Sequence, residues 1–162
     1  MLRSSQNPVL YWRKQHAYTQ KDAANLSGLS DQTVRRVEQG TLALPVELAQ
    51  LIGGSIEFEY EKWRTACRTE IAQEHGPLIA ELGEAAIGFS DFRRLVGLNL
   101  NISTEPDPEY LSVNGLAKLL RVDPRRITEV ERGERLLGLE YRRALLQIGV
   151  AASSIAEWAN ND

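Results

Sequence analysis

Arginine and amide side chains crowd a short polar segment, residues 31–39, that is bounded by Ser30 and Gly40. An arginine presents paired donors that match the two acceptors of guanine, and a glutamine amide matches the donor and the acceptor of adenine. Residues of these types on one helical face are suited to reading base pairs in the major groove. The candidate base-reading residues are Asp31, Gln32, Arg35 and Arg36.

The preceding segment offers a second kind of contact. Thr19 is suited to be a helix N-cap, because its hydroxyl can accept a free amide hydrogen of the first turn. Gln20 follows it, and the amide-rich N-terminus of a helix attracts phosphate. We therefore place Thr19, Gln20 and the next cap, Ser30, among the residues that contact a nucleic-acid backbone, which sets register rather than sequence.

Other kinds of site find little support in the composition. Cys67 is the only cysteine, and together with His16 and His75 it cannot complete a four-ligand zinc site. No arrangement of acid, base and nucleophile and no phosphate loop is evident, so we expect no enzyme, no cofactor and no metal. No apolar stretch is long enough to span a bilayer, and residues 1–10 lack an apolar signal core. A cytoplasmic protein without membrane contact is expected.

The net charge of −3 is unevenly distributed along the chain. Residues 1–53 carry +2 and residues 91–150 carry +1, whereas residues 54–90 carry −4. Two nearly neutral or slightly basic regions therefore flank an acidic one. This pattern permits DNA binding through local basic faces and predicts modest non-specific affinity.

Helical periodicity dominates the sequence, and the alternation typical of strands is hard to find. Thr19 and Ser30 suit N-caps, whereas Gly28 and Gly40 suit the left-handed position at a helix end. The early helices are predicted at Pro8–His16, Thr19–Ser27, Asp31–Gln39 and Val46–Ile52. Later ones are predicted from Asp91, at Leu111–Leu120, at Pro124–Arg132 and at Leu139–Ile148, with a loop over 99–107 and a short turn at Ser154–Trp158.

A longer amphipathic helix is predicted over residues 55–74, ended by Gly76 and Pro77, before a further apolar segment at Leu78–Ile87. Apolar residues recur along it at spacings of three and four, which places them on one stripe. The stripe consists of Ile56, Tyr60, Trp63, Cys67 and Ile71, and the solvent faces carry Glu57, Glu59, Glu61, Lys62 and Arg64. The stripe is either buried against the flanking regions or available as a dimer surface.

Residues 18–40 align with residues 111–133 without a gap, in caps, apolar positions and a Glu-x-Gly ending. Arg13, ahead of the first copy, corresponds to Arg93, with 13 additional residues between the first and second helices of the later copy. We interpret this correspondence as a duplicated helical unit.

In the first copy, Arg13-x-x-x-Ala17-Tyr18-Thr19-Gln20 is followed by Ala24, Gly28-Leu29-Ser30, Val34, Val37-Glu38-x-Gly40 and Pro45. This string resembles the Cro-type (XRE), lambda-repressor-like helix-turn-helix family, closely over residues 10–53 and more loosely over residues 91–149. Ala17 stands where the family usually has glycine. The resemblance implies two helices joined by a tight turn, of which the second, residues 31–39, enters the major groove. It also implies a structural ion pair between Arg13 and Glu38, and by duplication a second between Arg93 and Glu131.

The second copy departs from this pattern. Val113 replaces the glutamine, and Arg121 replaces the turn glycine. Because a left-handed arginine is unfavourable, we expect this turn to differ in shape. The third helix of this copy would project Arg125, Arg126 and Glu129, which either contact DNA or belong to a packing and dimerisation module.

The fold expected is therefore all-α, with two lambda-repressor-like helix-turn-helix bundles joined by an amphipathic helical connector. The predicted domains are a first helix-turn-helix at 1–54, a connector at 55–88, a second and more divergent helix-turn-helix at 89–150 and a tail at 151–162.

The function expected is a sequence-specific regulator of transcription that binds double-stranded DNA, with repression favoured over activation and a homodimer as one arrangement. One alternative is a protein-interaction regulator, such as an antitoxin or antiactivator, whose second copy binds a protein partner. Another is an architectural factor in DNA packaging or recombination.

Overall fold

Ten α-helices and no strand are present in residues 6–100 and 111–160, the residues that this computed structural model describes. They are α1 (Pro8–Gln15), α2 (Gln20–Ser27), α3 (Asp31–Gln39), α4 (Val46–Ile52), α5 (Ile56–Ala85), α6 (Phe89–Leu100), α7 (Val113–Leu120), α8 (Pro124–Glu131), α9 (Leu139–Ile148) and α10 (Ala152–Asn160). The expectation of an all-α fold is confirmed. The first four helices also agree with their predicted bounds to within one residue.

The helices fall into two compact units, Met1–Cys67 and Arg68–Asp162. The division lies inside α5, so the first unit holds α1 to α4 with the first part of α5, and the second unit holds the rest. The stretch 55–88, which was expected to be a separate connector, thus contributes residues to both units.

The first part of α5 completes the core of the first unit. Its apolar side chains are buried with those of α1, α3 and α4 in one cluster, which contains Val9, Val37, Leu48, Ile56, Tyr60, Trp63 and Cys67. Burying a side chain of this size stabilises a fold by about 1.5–3 kcal/mol. Of the two interpretations of the Ile56–Ile71 stripe, burial is therefore the one that the structure supports. Ile56 to Cys67 are covered by the first unit, and Ile71 is partly buried against the second core.

Small side chains bring α2 and α3 together. Ala23 and Ala24 of α2 are buried against Val34 of α3, with Trp12 packed at their side. Residues without long side chains let two helix backbones approach closely, which a tight turn between short helices requires. This packing fixes α3 on the scaffold of the first unit.

The second unit has a larger core, built from α6 to α10 and the later part of α5. Phe92 of α6, Leu116 of α7, Ile127 of α8 and Leu145 of α9 are completely buried in it. Trp158 of α10 packs on Phe92 with ring centroids 5.1 Å apart. The prediction of a short turn in the tail is therefore wrong, since α10 is a nine-residue helix whose apolar side chains are buried in this core.

The helix α5 does not end at Gly76 and Pro77, contrary to the prediction. Ile79 is buried in the second core just after them, and this packing holds the helix through a proline that would otherwise cost about 3 kcal/mol. Gly76 permits a close contact between two backbone segments. A Cβ placed on Gly149, at the end of α9, would lie 2.9 Å from the Gly76 Cα, so two backbones approach each other here.

The helices α7, α8 and α9 begin at residues 113, 124 and 139, each 93 positions after the first residue of α2, α3 and α4. These spacings equal the offset in the alignment of residues 18–40 with residues 111–133. The helix α6 begins at Phe89, two residues before its predicted start, and ends at Leu100, and the remainder of the predicted loop lies outside the described residues.

Candidate nucleic-acid interface

The turn between α2 and α3 is fixed by its capping residues. Thr19 Oγ1 accepts a hydrogen bond from the Asp22 N–H at 3.0 Å, and the Asp22 carboxylate accepts one from the Thr19 N–H at 2.9 Å, which satisfies the free donors reciprocally. Gly28 ends α2 with a φ of 78°, where a side chain would be strained. Ser30 caps α3 by accepting from the Thr33 N–H at 3.1 Å. These caps place α3 directly after a tight turn, as predicted.

The helix α3 has one buried and one exposed face. Val34 and Val37 are completely buried and anchor the helix to the unit. Three of the four candidate base-reading residues, Asp31, Gln32 and Arg35, are exposed, and the fourth, Arg36, is partly buried. The outward face is therefore polar, and of its two arginines Arg35 is exposed and Arg36 is partly buried.

The Glu38 carboxylate organises a polar cluster between α1, α2 and α3. Arg13 donates to it from Nε at 2.6 Å and from Nη2 at 3.0 Å, so the expected ion pair is present. Arg13 also donates to the Tyr18 carbonyl at 2.9 Å. The hydrogen bond with Glu38 is the main cause that raises the pKa of Arg13, against the opposing effect of burial. This two-point contact ties α1 to the end of α3.

Gln20 has a structural partner that the sequence did not indicate. Its Nε2 donates to Glu38 Oε1 at 3.0 Å, and the side chain is partly buried. This contact orients the amide at the first turn of α2. Thr19 and Ser30, the other two residues proposed for the backbone of a nucleic acid, are exposed.

The end of α3 is held by three side chains that lie outside the helix-turn-helix segment itself. Carbonyl groups at a helix C-terminus lack partners within the helix. Asn7 Nδ2 donates to the Val37 carbonyl at 2.9 Å, and the Tyr60 hydroxyl lies 3.0 Å from the same oxygen. Arg64 Nε donates to the Gly40 carbonyl at 3.0 Å. Both ends of α3 are therefore fixed by side-chain hydrogen bonds.

The prediction that Arg64 faces solvent is wrong, since only 2% of it is exposed. Its guanidinium lies 5.8 Å from the centre of the Tyr60 ring and donates to Glu61 at 2.9 Å. A signal for this burial exists in the sequence, because Arg64 comes one helical turn after Tyr60 and so borders the apolar stripe. Asn7 precedes a proline and is recognisable as an N-cap, but its second contact, with α3, depends on the tertiary fold.

A comparison with known families finds a match for the first part of the chain. Residues 9–53 match the helix-turn-helix family model. Proteins of this family are DNA-binding regulators of transcription and typically have no enzymatic activity, so the match indicates a DNA-binding regulator. No curated protein and no solved structure matches the chain. The match begins at Val9 and ends at Gly53. Asn7 and the α5 side chains that hold α3 therefore lie outside it.

Among the residues that the structure describes, no helix combines the length and the apolar character needed to cross a membrane.

The second unit repeats several contacts of the helix-turn-helix segment. Arg93 donates to Glu131 from Nε at 2.9 Å and from Nη2 at 2.8 Å, so this expected ion pair is also present. Arg93 Nη1 donates to the Leu111 carbonyl at 2.9 Å, as Arg13 does to the carbonyl before the α2 cap. Ser90 Oγ lies 3.2 Å from the same carboxylate. This serine supplies the additional donor that Gln20 provides in the first unit.

The turn after α7 has the same form as the turn after α2, although an arginine stands in place of the glycine. Arg121 has a φ of 55°, and its N–H donates to the carbonyl four residues earlier, as that of Gly28 does. The expectation of a differently shaped turn is therefore wrong. Arg68, which is buried, donates to the Leu120 carbonyl at 2.7 Å and to the Arg121 carbonyl at 2.8 Å. These bonds help to hold the strained residue.

The outward face of α8 differs in chemistry from that of α3. Arg125 pairs with Asp123 at 2.9 Å, and its hydrogen bond to that carboxylate raises the pKa of Arg125. Glu129 pairs with Arg135 at 2.6 Å, and Arg126 is exposed. Two of the three residues predicted here to touch DNA thus have charged partners within the protein.

Proposed function

We propose that this protein is a cytoplasmic regulator of transcription that binds specific double-stranded DNA sequences and acts as a repressor. The observation that supports it most is the arrangement of α3, which presents arginine and amide groups outward while both its ends are held. A helix fixed in this way enters a major groove without first losing conformational freedom. Repression is favoured because occupation of a promoter requires no further contact with the transcription machinery.

Within this proposal, residues of α3 read bases and the neighbouring caps position the protein. Gln32, Arg35 and Arg36 contact base edges, with Asp31 beside them. Thr19, Gln20 and Ser30 contact phosphates, and the bond between Gln20 and Glu38 sets the angle of that amide.

The test begins with selection of duplex sequences from a randomised library by the full chain. On the selected site, Gln32→Ala and Arg36→Ala should each cost about 1–3 kcal/mol of binding free energy and relax the preference at one position. Gln20→Ala should weaken binding to all duplexes by a similar factor. Gln50→Ala, at an exposed position of α4, is the matched control and should change neither. Recovery of no preferred sequence from the library would refute the proposal.

We also propose that the second unit contains a second helix-turn-helix, in which α7 and α8 take the parts of α2 and α3. The equal shift of 93 residues between helix starts supports this, as do the repeated ion pair and the left-handed turn. Arg125, Arg126 and Glu129 would then contact DNA. To do so, Arg125 would have to exchange its ion pair with Asp123 for a contact with a phosphate or a base.

Those charged partners also support a second candidate function for this unit, a surface for a protein partner, as in an antitoxin or antiactivator. An arginine already engaged with a carboxylate loses that bond when it binds DNA, which lowers the net gain. A homodimer, if it forms, must use a surface other than the Ile56–Cys67 stripe. Footprinting separates the two functions, because DNA contact by both units protects two segments of the site rather than one.

A further inference from the structure

The helix α9 leaves one face exposed that has no part in the proposed DNA contacts. Its buried face is formed by Tyr141, Ala144, Leu145 and Ile148. The opposite positions, spaced by three, four and seven residues, are Leu139, Arg142, Arg143 and Leu146, and all four side chains are exposed. Leu139 is 72% exposed and Leu146 51%, and Leu136, just before the helix, is 56% exposed. We call these five residues the α9 face.

Single exposed leucines are common on protein surfaces. Leu139 and Leu146, however, lie seven residues apart on one side of α9, and Leu136 is exposed three residues before the helix begins. Such a concentration of exposed apolar residues is typical of an interaction site. The first unit provides a comparison, because α4 begins 93 residues before α9. The positions that correspond to the α9 helix residues are Val46, Ala49, Gln50 and Gly53, of which only the first is a large apolar residue. The α9 face is therefore a property of the second unit alone.

We propose that the α9 face binds an acidic amphipathic helix of another protein. Apolar residues seven apart on an exposed helix match a partner helix with the same repeat, packed along it. The two arginines between the leucines favour carboxylates at the facing positions of the partner. Glu140 is exposed at the edge of α9 opposite Arg142, so the acidic residues of the partner should lie on the Arg142 side.

A second copy of this chain fits the α9 face less well. Whether two α9 helices pack parallel or antiparallel about a twofold axis, arginine of one copy faces arginine of the other between the leucine contacts. Like charges held close together at an interface weaken association. Charge thus selects an acidic partner over self-association.

The test uses a fluorescent synthetic peptide that has leucine seven residues apart and glutamate at the positions between them that face the arginines. Titration with the full chain should give saturable binding by anisotropy. The double substitution Leu139→Ser with Leu146→Ser should weaken binding at least about tenfold, since the loss of two buried apolar contacts exceeds the free energy of a tenfold change in affinity. Arg142→Gln with Arg143→Gln should also weaken it at least about tenfold, since it removes the charged contacts with the glutamates. Val46→Ser, at the exposed position of α4, is the matched control and should leave it unchanged.

Several results would overturn the proposal. They are the absence of saturable binding, and equal binding of a peptide with lysine in place of glutamate. Concentration-dependent self-association that the leucine substitutions abolish would assign the face to a second copy instead. A loss of affinity for the selected duplex in the arginine variant would assign it to phosphate contact. Because the peptide titrations do not depend on α3 or on DNA, failure here and failure of the DNA-binding proposal are distinguishable.

Discussion

In the part of the chain that the structure describes, two residues other than glycine hold backbone angles that L-amino acids avoid. Ala17 has a φ of 56° and Arg121 a φ of 55°, and the left-handed region costs such residues roughly 1–2 kcal/mol. At Arg121 the buried Arg68 binds the adjacent carbonyl groups and offsets part of that cost. Ala17 precedes the cap of α2, so its backbone angle sets the direction in which the chain enters the helix-turn-helix.

We predict that Ala17→Gly stabilises the first unit. Glycine adopts a positive φ without a steric penalty but gains freedom in the unfolded chain, so the net increase in unfolding free energy is about 0.5–1 kcal/mol. Denaturant unfolding of the two proteins measures it. Ala49→Gly, inside α4, is the control and should lose about 1 kcal/mol. A destabilised Ala17→Gly protein would show that the angle is not strained.

The two arginine–glutamate pairs permit a matched comparison between units. In each, one carboxylate receives two donors from one guanidinium, with Glu38 at 7% side-chain exposure and Glu131 at 12%. Removal of one partner of a buried pair costs about 3–5 kcal/mol. We expect Arg13→Met to reduce amide protection against hydrogen exchange mainly in α1 to α4, and Arg93→Met mainly in α6 to α9. Equal losses in both units after either change would contradict two separately stabilised units.

Tyr141 gives the second unit a dependence on alkaline pH. Its hydroxyl donates to the Asp123 carbonyl at 2.6 Å, and burial raises the pKa of the phenol above its ordinary value of 10.0. A raised pKa in the folded state means that the stabilisation is complete below the unfolded pKa and is lost as pH rises beyond it. We predict that denaturation midpoints fall above about pH 10 and fall less in Tyr141→Phe. An identical pH dependence in both proteins would be evidence against this contribution.

At the scale of the element, the helix boundaries that the sequence predicted are those set by local chemistry. Thr19, Ser30 and Gly28 act within a few residues of themselves, so their effect can be predicted from the sequence alone. The continuation of α5 through Gly76 and Pro77 depends on what packs against the helix, which local sequence does not show, whereas the burial of Arg64 had a signal in its position one turn after Tyr60. The outward face of α3 was predictable because the period of its apolar residues leaves those positions exposed.

The helix α5 also shows that the first unit extends beyond the family match. We predict that a fragment ending at residue 53 is largely unfolded, whereas one ending at residue 67 unfolds cooperatively. The shorter fragment loses four buried side chains and exposes Val9, Val37 and Leu48, and it lacks the two α5 side chains that hold α3. Circular dichroism during thermal unfolding distinguishes the fragments. Equal midpoints would mean that α5 is dispensable for this unit.

At the scale of the molecule, the two units share several internal contacts and differ in their surfaces. The ion pair and the left-handed turn occur in both units, with Ser90 in the place of Gln20 as a donor to the shared carboxylate. The outward residues differ, since α8 carries arginines with acidic neighbours and α9 carries a leucine–arginine face. Because the net charge is −3, DNA binding is expected to depend on local groups such as the arginines of α3 rather than on overall charge.

The response to salt tests whether both units reach DNA. Each arginine that neutralises a phosphate adds close to one to the slope of log affinity against log salt, because it releases condensed counterions. We predict that Arg125→Gln with Arg126→Gln reduces that slope by about 1–2 on the selected duplex if these arginines reach phosphates. Arg35→Gln with Arg36→Gln, which the proposal places at base edges, should instead lower base preference and change the slope less. A slope unchanged by Arg125→Gln with Arg126→Gln would restrict DNA contact to the first unit and leave the second to a protein partner.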